Sequence, residues 1–371
     1  MKILLVSSIF PPDIGGPATY TYHLAKSLTK QHKVAVLTFS SRLKEKLGFP
    51  VYSLSKNGSA LSRQIRLLKK ITVLAEGFDL IYCQDPLVVG VASLLVGKFK
   101  KKPVIIKFVG DIVWETTRNR GLQDIDLEEF YSQKMHLDRP WWVQAKLQSF
   151  VLKNADLIIT PAFHLKRFLT NFYRVSQKKI KVIPNGTKIK ATKSKKQEIA
   201  VTVGRLVSWK NVNEILEAVN TIPGLKYWII GSGPELSSLK KLAKKLNIKD
   251  RVRFFGSLSQ KNVKKALSKT SVFVLNSSYE GLPHILLEAA GAKNALVIPR
   301  LPGILEVFSE KEAYYFNQNR KDSLRRVLAK AWQDKKKREE YAKRAYRKVK
   351  RQFSWDKTYK ATENIINQLI K

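Results

Sequence analysis

Residues 199–246 read IAVTVGRLVSWKNVNEILEAVNTIPGLKYWIIGSGPELSSLKKLAKKL. Two short β-rich apolar runs, 199–203 and 226–230, predict strands, and the longer patterns at 212–220 and 234–246 predict helices. Near-continuous apolar strands that alternate with helices are typical of a parallel sheet covered by helices on both faces. This stretch therefore predicts two strand–helix repeats of an α/β domain.

The same alternation continues in both directions along the chain. Further strands are predicted at 2–7, 33–38, 80–83, 103–109, 157–160, 251–255, 272–275 and 295–298. Further helices are predicted at 18–30, 61–75, 87–99, 141–154, 261–268, 283–292 and, as one long basic helix, 330–351. The fold class predicted is α/β, with two tandem doubly wound Rossmann-like domains.

The predicted domains are an N-terminal domain over 1–186 and a second over 187–352. The Lys-, Ser- and Thr-rich stretch 187–198 is interpreted as a linker between them. Residues 353–371 are expected to return as a helix onto the N-terminal domain. Two such domains facing one another would leave a central cleft at the carboxyl ends of both sheets, where ligands bind in this class of fold.

Composition restricts the function classes. The chain has 371 residues, 69 Lys+Arg against 29 Asp+Glu, a net charge of +40 and one cysteine, Cys83. A single cysteine excludes a disulfide framework, and its apolar run predicts a buried, inert thiol. The charge favours an anionic partner, which could be nucleic acid, an anionic membrane surface or a small anionic substrate. A solvated Lys-rich surface without such a partner is the alternative.

Targeting signals are not visible in the sequence. The opening residues lack a secretory signal, and the longest apolar stretch, 86–97, has 12 residues where a membrane span needs about 20. A cytoplasmic protein is expected, either free in solution or bound peripherally to the inner face of the membrane. Contact with anionic lipid is the preferred use of the charge.

Glycine-rich loops follow several predicted strands. Gly15 and Gly16 come after the first strand and before a helix, where the backbone can approach an anion closely. Gly231 and Gly233 form a similar loop after the strand 226–230. Each loop taken alone is equally compatible with an ordinary tight turn.

Charged side chains occupy two more loops of the second domain. Arg205 and Lys210 follow its first strand, where two cations suit a departing diphosphate. Asn211 is read as the cap of the next helix. Glu280 is placed at the close of a strand, and Glu288 lies eight positions further on, within the following helix. A cap on nearby N–H groups and an internal salt bridge are the respective alternatives for the two glutamates.

Together these motifs resemble the large retaining glycosyltransferase family four, which has the GT-B fold. The Gly-Gly loop, the Gly-Arg…Lys loop, Gly-Ser-Gly-Pro-Glu and Glu-x7-Glu occur here in the family's order. The resemblance implies transfer of a sugar, as in a hexosyltransferase, from a nucleotide-diphosphate sugar with retention of anomeric configuration. UDP-sugars and GDP-mannose are both compatible donors, and a glycan or lipid-linked acceptor of cell-envelope polysaccharide synthesis is expected.

The resemblance also implies roles for particular residues. Gly15 and Gly16 would meet the donor phosphate, and Arg205 and Lys210 would hold the diphosphate leaving group. The loop glycines Gly231 and Gly233 are included among the donor-binding residues.

On the third loop, Glu280 would contact the transferred sugar as a catalytic residue. Glu288 would bind the ribose hydroxyls of the nucleotide. The amides of Gly281 and Leu282 would add to the phosphate cradle. By the same resemblance, no metal and no cofactor are expected for the chemistry, and no specific nucleic acid is expected as a partner.

The chain departs from the family after the strand 103–109. Many relatives carry a histidine there, and this chain has Asp111, which is the candidate catalytic carboxylate on the acceptor side. A turn-capping aspartate is the alternative for Asp111. The Asp124-Ile-Asp126 triplet imitates a metal-binding D-x-D, but it lies in a variable loop and is discounted.

Two other readings remain open at this point. A nucleotide-sugar epimerase or a phosphorylase-like enzyme could use the same architecture, since fold alone does not fix function. A basic nucleic-acid-binding protein would predict strong, salt-sensitive binding to DNA or RNA.

Overall fold

The computed structural model describes residues 1–13, 15–41, 47–122, 125–132, 138–189 and 195–370. The chain divides into two compact units. Unit 1 comprises Met1–Asn185 and Trp355–Lys371, and unit 2 comprises Gly186–Ser354. The sequence placed the boundaries after residues 186 and 352, so the observed ones differ by one and two positions.

Unit 1 contains a seven-stranded parallel sheet in the order β3-β2-β1-β4-β5-β6-β7. Its strands are β1 (Lys2–Ser7), β2 (Lys33–Thr38), β3 (Val51–Ser53), β4 (Leu80–Cys83), β5 (Val104–Lys107), β6 (Leu157–Thr160) and β7 (Ile180–Val182). Its helices are α1 (Gly16–Leu28), α2 (Ala60–Ala75), α3 (Gly90–Phe99), α4 (Ile112–Asn119), α5 (Leu127–Ser132), α6 (Arg139–Asn154) and α7 (Phe163–Asn171), followed after unit 2 by α15 (Trp355–Ile370).

Unit 2 contains a six-stranded parallel sheet in the order β10-β9-β8-β11-β12-β13. Its strands are β8 (Gln197–Val203), β9 (Lys226–Ile230), β10 (Val252–Phe254), β11 (Thr270–Val274), β12 (Ala295–Pro299) and β13 (Tyr314–Phe316). Its helices are α8 (Val212–Asn220), α9 (Leu236–Lys245), α10 (Gln260–Lys269), α11 (His284–Gly291), α12 (Pro302–Leu305), α13 (Ser323–Gln333) and α14 (Lys335–Gln352).

The central strands are apolar because both of their faces are covered. Every residue of β4 and of β11 is buried, as expected for strands in the middle of a parallel sheet. Cys83 ends β4, and burial raises the pKa of its thiol to about 12. The prediction of a buried, inert thiol is therefore confirmed.

Both sheets reverse their strand order next to their first strand. In unit 1 the reversal lies between β1 and β4, and in unit 2 it lies between β8 and β11. In open parallel sheets, ligands bind outside the carboxyl ends of the strands at such a switch point. The loops that follow β8 and β11 are therefore the first place to look for a site in unit 2.

Helix α15 belongs to unit 1 and packs against α1. The Glu363 carboxylate lies 3.1 Å from Nε2 of His32, and the Thr358 hydroxyl donates to the Pro184 carbonyl at 2.9 Å. The rings of Tyr20 and Trp355 lie 5.6 Å apart. The end of the chain thus helps to build unit 1.

Two sequence predictions about local structure are wrong. The basic segment 330–351 is not one helix, because α13 ends at Gln333 and α14 starts at Lys335. The side chain of Asp334 accepts a hydrogen bond from the Lys337 N–H and so begins a new helix. Glu280 does not close a strand either, since β11 ends at Val274 and Glu280 lies within the loop that follows.

In the described part of the chain, every helix is too short or too polar to span a bilayer.

Candidate active site

Two loops meet at the switch point of the unit 2 sheet. Residues 204–211 follow β8, and residues 275–283 follow β11. The Ser278 N–H donates to the Trp209 carbonyl at 2.8 Å, and the Asn211 side-chain amide donates to the Asn276 carbonyl at 3.0 Å. Because β8 and β11 are neighbours in the sheet, loops that are about 70 residues apart in sequence become one surface.

Asn211 holds this junction in a different way from the one predicted. It stands at the N-cap position of α8, but its side chain caps no helix N–H. Its backbone is left-handed (φ 46°, ψ 43°), which asparagine tolerates better than most residues. The side-chain amide instead reaches the Asn276 carbonyl and the Ser278 hydroxyl. Asn211 is therefore the N-cap residue, as predicted, but its side chain does not cap the helix, because the neighbouring loop offers acceptors that only the folded sheet supplies.

Sequence reasoning missed two residues that fix the second loop. The Asn276 amide donates to the Glu214 carboxylate at 2.8 Å, and the Gln318 amide donates to the Asn276 side-chain oxygen at 2.9 Å. Asn276 is the first residue of the predicted motif around Glu280, so its role could have been inferred from its place there. Gln318 follows β13 and has no signal in the sequence, since only the sheet brings it to Asn276.

The predicted residues Lys210 and Glu280 form an ion pair across the switch point. The Lys210 ammonium donates to Oε1 of Glu280, and the Ser277 hydroxyl donates to the same oxygen at 2.7 Å. The side chains are 21% and 12% exposed, respectively, so each charge is largely withdrawn from water. A cation and a carboxylate in this position can share one charged ligand or exchange partners when a ligand arrives.

Arg205 lies on the same loop and points to solvent. Its side chain is exposed, and within the described ranges its guanidinium has no hydrogen bond or ion pair. A fork of N–H donors with no protein acceptor suits a phosphate or a carboxylate. Arg205 therefore adds an available cation close in sequence to the Lys210–Glu280 pair.

Gly231 and Gly233 pack one loop against another. A Cβ at Gly231 would lie 1.8 Å from the Gly204 carbonyl oxygen, and one at Gly233 would lie 2.2 Å from that of Leu206. The Leu206 N–H donates to the Ser232 carbonyl at 2.9 Å across this contact. The close contact between two loops of unit 2 thus explains why both positions are glycine. Contact of these glycines with a donor stays a prediction.

The helix α11 starts directly after the second loop. Gly281 and Leu282 are buried, and the helix begins at His284 with Pro283 as its cap residue. Its N-terminus lies at the carboxyl edge of the sheet, because α11 runs from the end of β11 back to the start of β12. A helix N-terminus favours an anion at this edge. Direct contact of the Gly281 and Leu282 amides with phosphate stays a prediction.

Glu288 lies on α11 and is half-buried. The side-chain amide of Gln260 donates to its Oε1 at 2.7 Å. Burial raises the pKa of Glu288, although Lys264 and the hydrogen bond from Gln260 act in the opposite direction. A half-buried carboxylate with acceptor capacity left over can bind a pair of hydroxyl groups.

In unit 1, the predicted glycines lie at the carboxyl end of β1. Gly15 is the N-cap residue of α1, and its carbonyl accepts from the Thr19 N–H at 3.0 Å. Gly16 is exposed and is the first residue of that helix. Both residues thus border the switch point of the unit 1 sheet, and their binding of phosphate stays a prediction.

Asp111 is fully buried and accepts four hydrogen bonds. One oxygen caps α4 through the Trp114 N–H at 2.9 Å, and the other accepts from Tyr131, Gln148 and Tyr173 at 2.9, 2.7 and 2.5 Å. Burial raises the pKa of Asp111, against the opposing effect of these hydrogen bonds. The geometry favours the capping interpretation. Both carboxylate oxygens are buried and hydrogen-bonded. The predicted catalytic role of Asp111 stays a prediction.

The Asp124-Ile-Asp126 triplet, which the sequence analysis discounted as a metal-binding motif, is described in part. Asp124 lies outside the described residues. Asp126 accepts a hydrogen bond from the Glu129 N–H at 2.7 Å and so caps α5. At Asp126 the structure therefore shows a helix cap.

Lys107, at the end of β5, is a buried lysine that sequence reasoning missed. Its ammonium lies 4.6 Å from the centroid of the Tyr20 ring and 3.4 Å from the Ile183 carbonyl oxygen. Within the described part of the chain it has no carboxylate partner. Burial lowers the pKa of Lys107 to about 7. The sequence KPVIIKFV reads as an apolar strand with one charge, and a lysine at its end would ordinarily be assigned to the surface.

We expect Lys107→Met to stabilise unit 1 in a pH-dependent way. The folded protein releases the Lys107 proton near pH 7, whereas an unfolded lysine holds it to about 10.5. The unfolded state therefore binds more protons between these values, so the contribution of Lys107 to stability rises with pH. Lys107→Met should raise the free energy of unfolding by up to about 4 kcal/mol below pH 7, and the gain should disappear towards pH 10.

Urea unfolding of the purified protein across this pH range measures the effect. The matched control is Lys33→Met, an exposed lysine at the start of strand β2 of the same sheet. It should change stability by less than about 0.5 kcal/mol at every pH. A gain from Lys107→Met that did not vary with pH would contradict the assignment of a buried charge.

The fold and the arrangement of unit 2 define a class of protein. Two parallel Rossmann-like units are the architecture of glycosyltransferases of the GT-B fold. The structure of HepE from Anabaena in complex with UDP-glucose aligns with a TM-score of 0.82 at 17% identity, covering 99% of this chain and 100% of that one. WaaG, a glycosyltransferase involved in lipopolysaccharide biosynthesis, aligns with a TM-score of 0.76 at 14% identity, covering 98% and 99%. At these identities the likeness shows the fold.

Sequence comparison places the chain more narrowly. Residues 14–190 match the model described as Glycosyltransferase Family 4, and residues 186–348 match the model described as Glycosyl transferases group 1. An uncharacterized glycosyltransferase of Methanocaldococcus jannaschii is 25% identical, over 98% of this chain and 97% of its own length. The uncharacterized glycosyltransferase YqgM of Bacillus subtilis is 26% identical over 76% of this chain and 73% of its own length. The chain belongs to glycosyltransferase family 4, as its motifs predicted.

Proposed function

We propose that the protein transfers a hexosyl group from a nucleoside diphosphate sugar to an acceptor hydroxyl with retention of anomeric configuration. The observation that carries this proposal is the Lys210–Glu280 ion pair at the switch point of unit 2. In a ligand with both a diphosphate and a sugar, the diphosphate would contact Lys210 and the sugar would contact Glu280. The family membership favours transfer over epimerisation or nucleic-acid binding.

The chemistry of the step requires that charge on the leaving group be neutralised. The bond between the anomeric carbon and the phosphate oxygen breaks, and a new bond to the acceptor oxygen forms on the same face of the sugar. The acceptor proton moves to the departing phosphate oxygen. Arg205 and Lys210 would stabilise the diphosphate as its charge grows, which is the largest contribution that a fixed site can make. Glu280 would lie beside the sugar at the reacting centre.

The nucleotide would be held by Glu288. Its carboxylate is half-buried on α11 and has capacity for further hydrogen bonds beyond the one from Gln260. A ribose diol supplies two donors in suitable spacing. HepE has been crystallised with UDP and with UDP-glucose, which makes UDP-sugars the first donors to test here and GDP-mannose the second. We further propose a glycan or lipid-linked acceptor, and chemistry that proceeds without a metal or cofactor.

Thermal-shift measurements with UDP, GDP and ADP test the donor assignment. One nucleotide should raise the melting temperature of unit 2 by about 5 °C or more when its concentration is about a hundredfold above Kd. Glu288→Ala should weaken binding of that nucleotide roughly tenfold to a hundredfold, because it removes charged hydrogen-bond acceptors. The matched control is Glu217→Ala, an exposed glutamate on α8, which should bind as the wild type does.

Other results would contradict this proposal. No shift with any nucleotide or nucleotide sugar would count against a nucleoside diphosphate donor. Equal binding by the Glu288→Ala and Glu217→Ala variants would remove Glu288 from the site while leaving the donor class intact.

A further inference from the structure

Large apolar side chains are exposed mainly on one layer of unit 1. Fifteen large hydrophobic residues are exposed in the described part of the chain, and only Leu305 of these belongs to unit 2. Ten of the fifteen lie on three helices, α2, α3 and α6. Phe99, Trp142 and Phe150 among them are 79%, 52% and 48% exposed. Such a concentration in one layer marks an interaction surface, whereas scattered single residues would not.

The three helices are neighbours. Helix α3 packs against both α2 and α6. Gly90 at the start of α3 approaches Val151 of α6 so closely that a Cβ would lie 3.2 Å from that side chain. On α2 the exposed residues Leu61, Ile65 and Leu68 recur at helical spacing and form one stripe. The exposed residues therefore belong to adjoining helix surfaces, which we call the α2/α3/α6 face.

The charge on this face is predominantly positive. The three helices carry eight Lys and Arg residues and no Asp or Glu. One of these cations, and one lysine just outside the helices, lie directly over exposed aromatic rings. The Lys146 ammonium is 5.2 Å from the Trp142 ring centroid, and the Lys100 ammonium, just after α3, is 5.6 Å from that of Phe99. Cations therefore lie directly beside the apolar side chains.

We propose that the α2/α3/α6 face docks the protein onto an anionic lipid bilayer. Amphipathic surfaces of this kind insert apolar and aromatic side chains to the depth of the headgroups while their cations attract the anionic lipids. Tryptophan beside lysine is characteristic of that interfacial region. The proposal does not depend on the proposed sugar transfer, because binding to vesicles is measured without a donor.

The charge and the side-chain types of the α2/α3/α6 face favour an anionic bilayer over a second copy of the chain and over a nucleic acid. A second copy of the chain placed on the same face would bring two predominantly positive surfaces together. The three helices carry no acidic residue, and the flanking Glu76 and Asp156 already pair with Lys100 and Lys98 of the same chain. A single-stranded nucleic acid would be expected to stack on aromatic rings. On the three helices, seven of the ten exposed large hydrophobic residues are aliphatic and three are aromatic, and the aliphatic groups gain most from a lipid environment.

Co-sedimentation of the full chain with vesicles tests the proposal. Vesicles of phosphatidylcholine with phosphatidylglycerol should bind the protein at least roughly tenfold more strongly than vesicles of phosphatidylcholine alone, and added salt should weaken the binding. Lys69→Glu with Lys146→Glu should lower the partition coefficient by roughly thirtyfold or more. Phe99→Ser with Phe150→Ser should lower it by roughly tenfold, including at high salt.

The basic helix α14 provides the matched control. Lys336→Glu with Lys343→Glu makes the same change in net charge on exposed positions of a helix where the described chain has no exposed large hydrophobic residue. This variant should lower vesicle binding by less than about threefold. Retained urea stability would show that all three variants are folded.

Four outcomes would overturn the assignment. The first is equal binding of the wild type to both vesicle types. The second is an equal loss of vesicle binding in the α14 variant and in Lys69→Glu with Lys146→Glu. The third is full vesicle binding by Phe99→Ser with Phe150→Ser. The fourth is that the two double variants of the α2/α3/α6 face bind vesicles as the wild type does but lose self-association or binding to single-stranded RNA.

Discussion

Glu280→Gln is expected to lower turnover roughly a hundredfold to a thousandfold while changing nucleotide affinity by less than about threefold. The amide keeps the size of the side chain and can still accept the hydrogen bond from Ser277. It loses the negative charge that would lie beside the sugar as positive charge develops there. An interaction made mainly in the transition state affects turnover far more than ground-state binding.

Comparing the change in turnover with the change in nucleotide affinity distinguishes a catalytic role of Glu280 from a positioning role. If Glu280 served only to hold Lys210 through their ion pair, the glutamine would release the ammonium for the diphosphate. Nucleotide would then bind more tightly, and turnover would fall little. The rate of nucleoside diphosphate release from the identified donor and the Kd from calorimetry measure the two quantities. Glu235→Gln, which alters a glutamate of the neighbouring Gly-Ser-Gly-Pro-Glu loop, is the matched control and should leave both unchanged.

Gly233→Ala is expected to destabilise unit 2 by at least about 3 kcal/mol. The added methyl group would lie 2.2 Å from the Leu206 carbonyl oxygen, 2.7 Å from its carbon and 2.8 Å from the Leu206 nitrogen. Backbone atoms cannot rotate away as a side chain can, so the two loops must separate. That separation breaks the hydrogen bond from the Leu206 N–H to Ser232 and displaces the neighbouring Arg205. The Gly233→Ala variant should therefore also bind the donor more weakly than the wild type does.

The same pair of loops contains the control. At Gly204 a Cβ would meet nothing within 4 Å, and the backbone does not require glycine. Gly204→Ala should therefore change the free energy of unfolding by less than about 1 kcal/mol. Urea unfolding of both variants measures the difference. Similar stabilities for the two would show that the loops do not approach as closely as the structure indicates.

The sequence predicted all the inner strands of both sheets, and five strands with the same bounds as in the structure. The bounds of β1, β2, β4, β6 and β9 agree with the predicted runs, because strands buried on both faces must be continuously apolar. Three strands were missed, and these are β3, β7 and β13. All three lie at sheet edges and have three residues each. An edge strand has one neighbour and a partly exposed face, so its pattern is short and mixed. The fourth three-residue edge strand, β10, was nevertheless predicted, within the run 251–255.

The candidate site was predicted in part. The residues came from loops with distinctive motifs, and the sequence order of those motifs indicated the family. Partnerships were not predicted, because a motif carries no information on which strand lies beside which. The ion pair of Lys210 with Glu280, the contact of Asn211 with Asn276 and the four hydrogen bonds to Asp111 all depend on neighbours distant in sequence. Each of the three changed how a predicted residue is interpreted.

The sequence alone determined the α/β class, the two-domain organisation and the membership of a glycosyltransferase family, since apolar periodicity and short motifs are local properties of the chain. Only the tertiary structure decided which loops meet. Placing β11 beside β8 brings Glu280 to Lys210, and packing α2, α3 and α6 in one layer collects their exposed side chains on one face. The physical reason is that strand order and helix packing are fixed by burial across the whole core, and that burial depends on all the elements together.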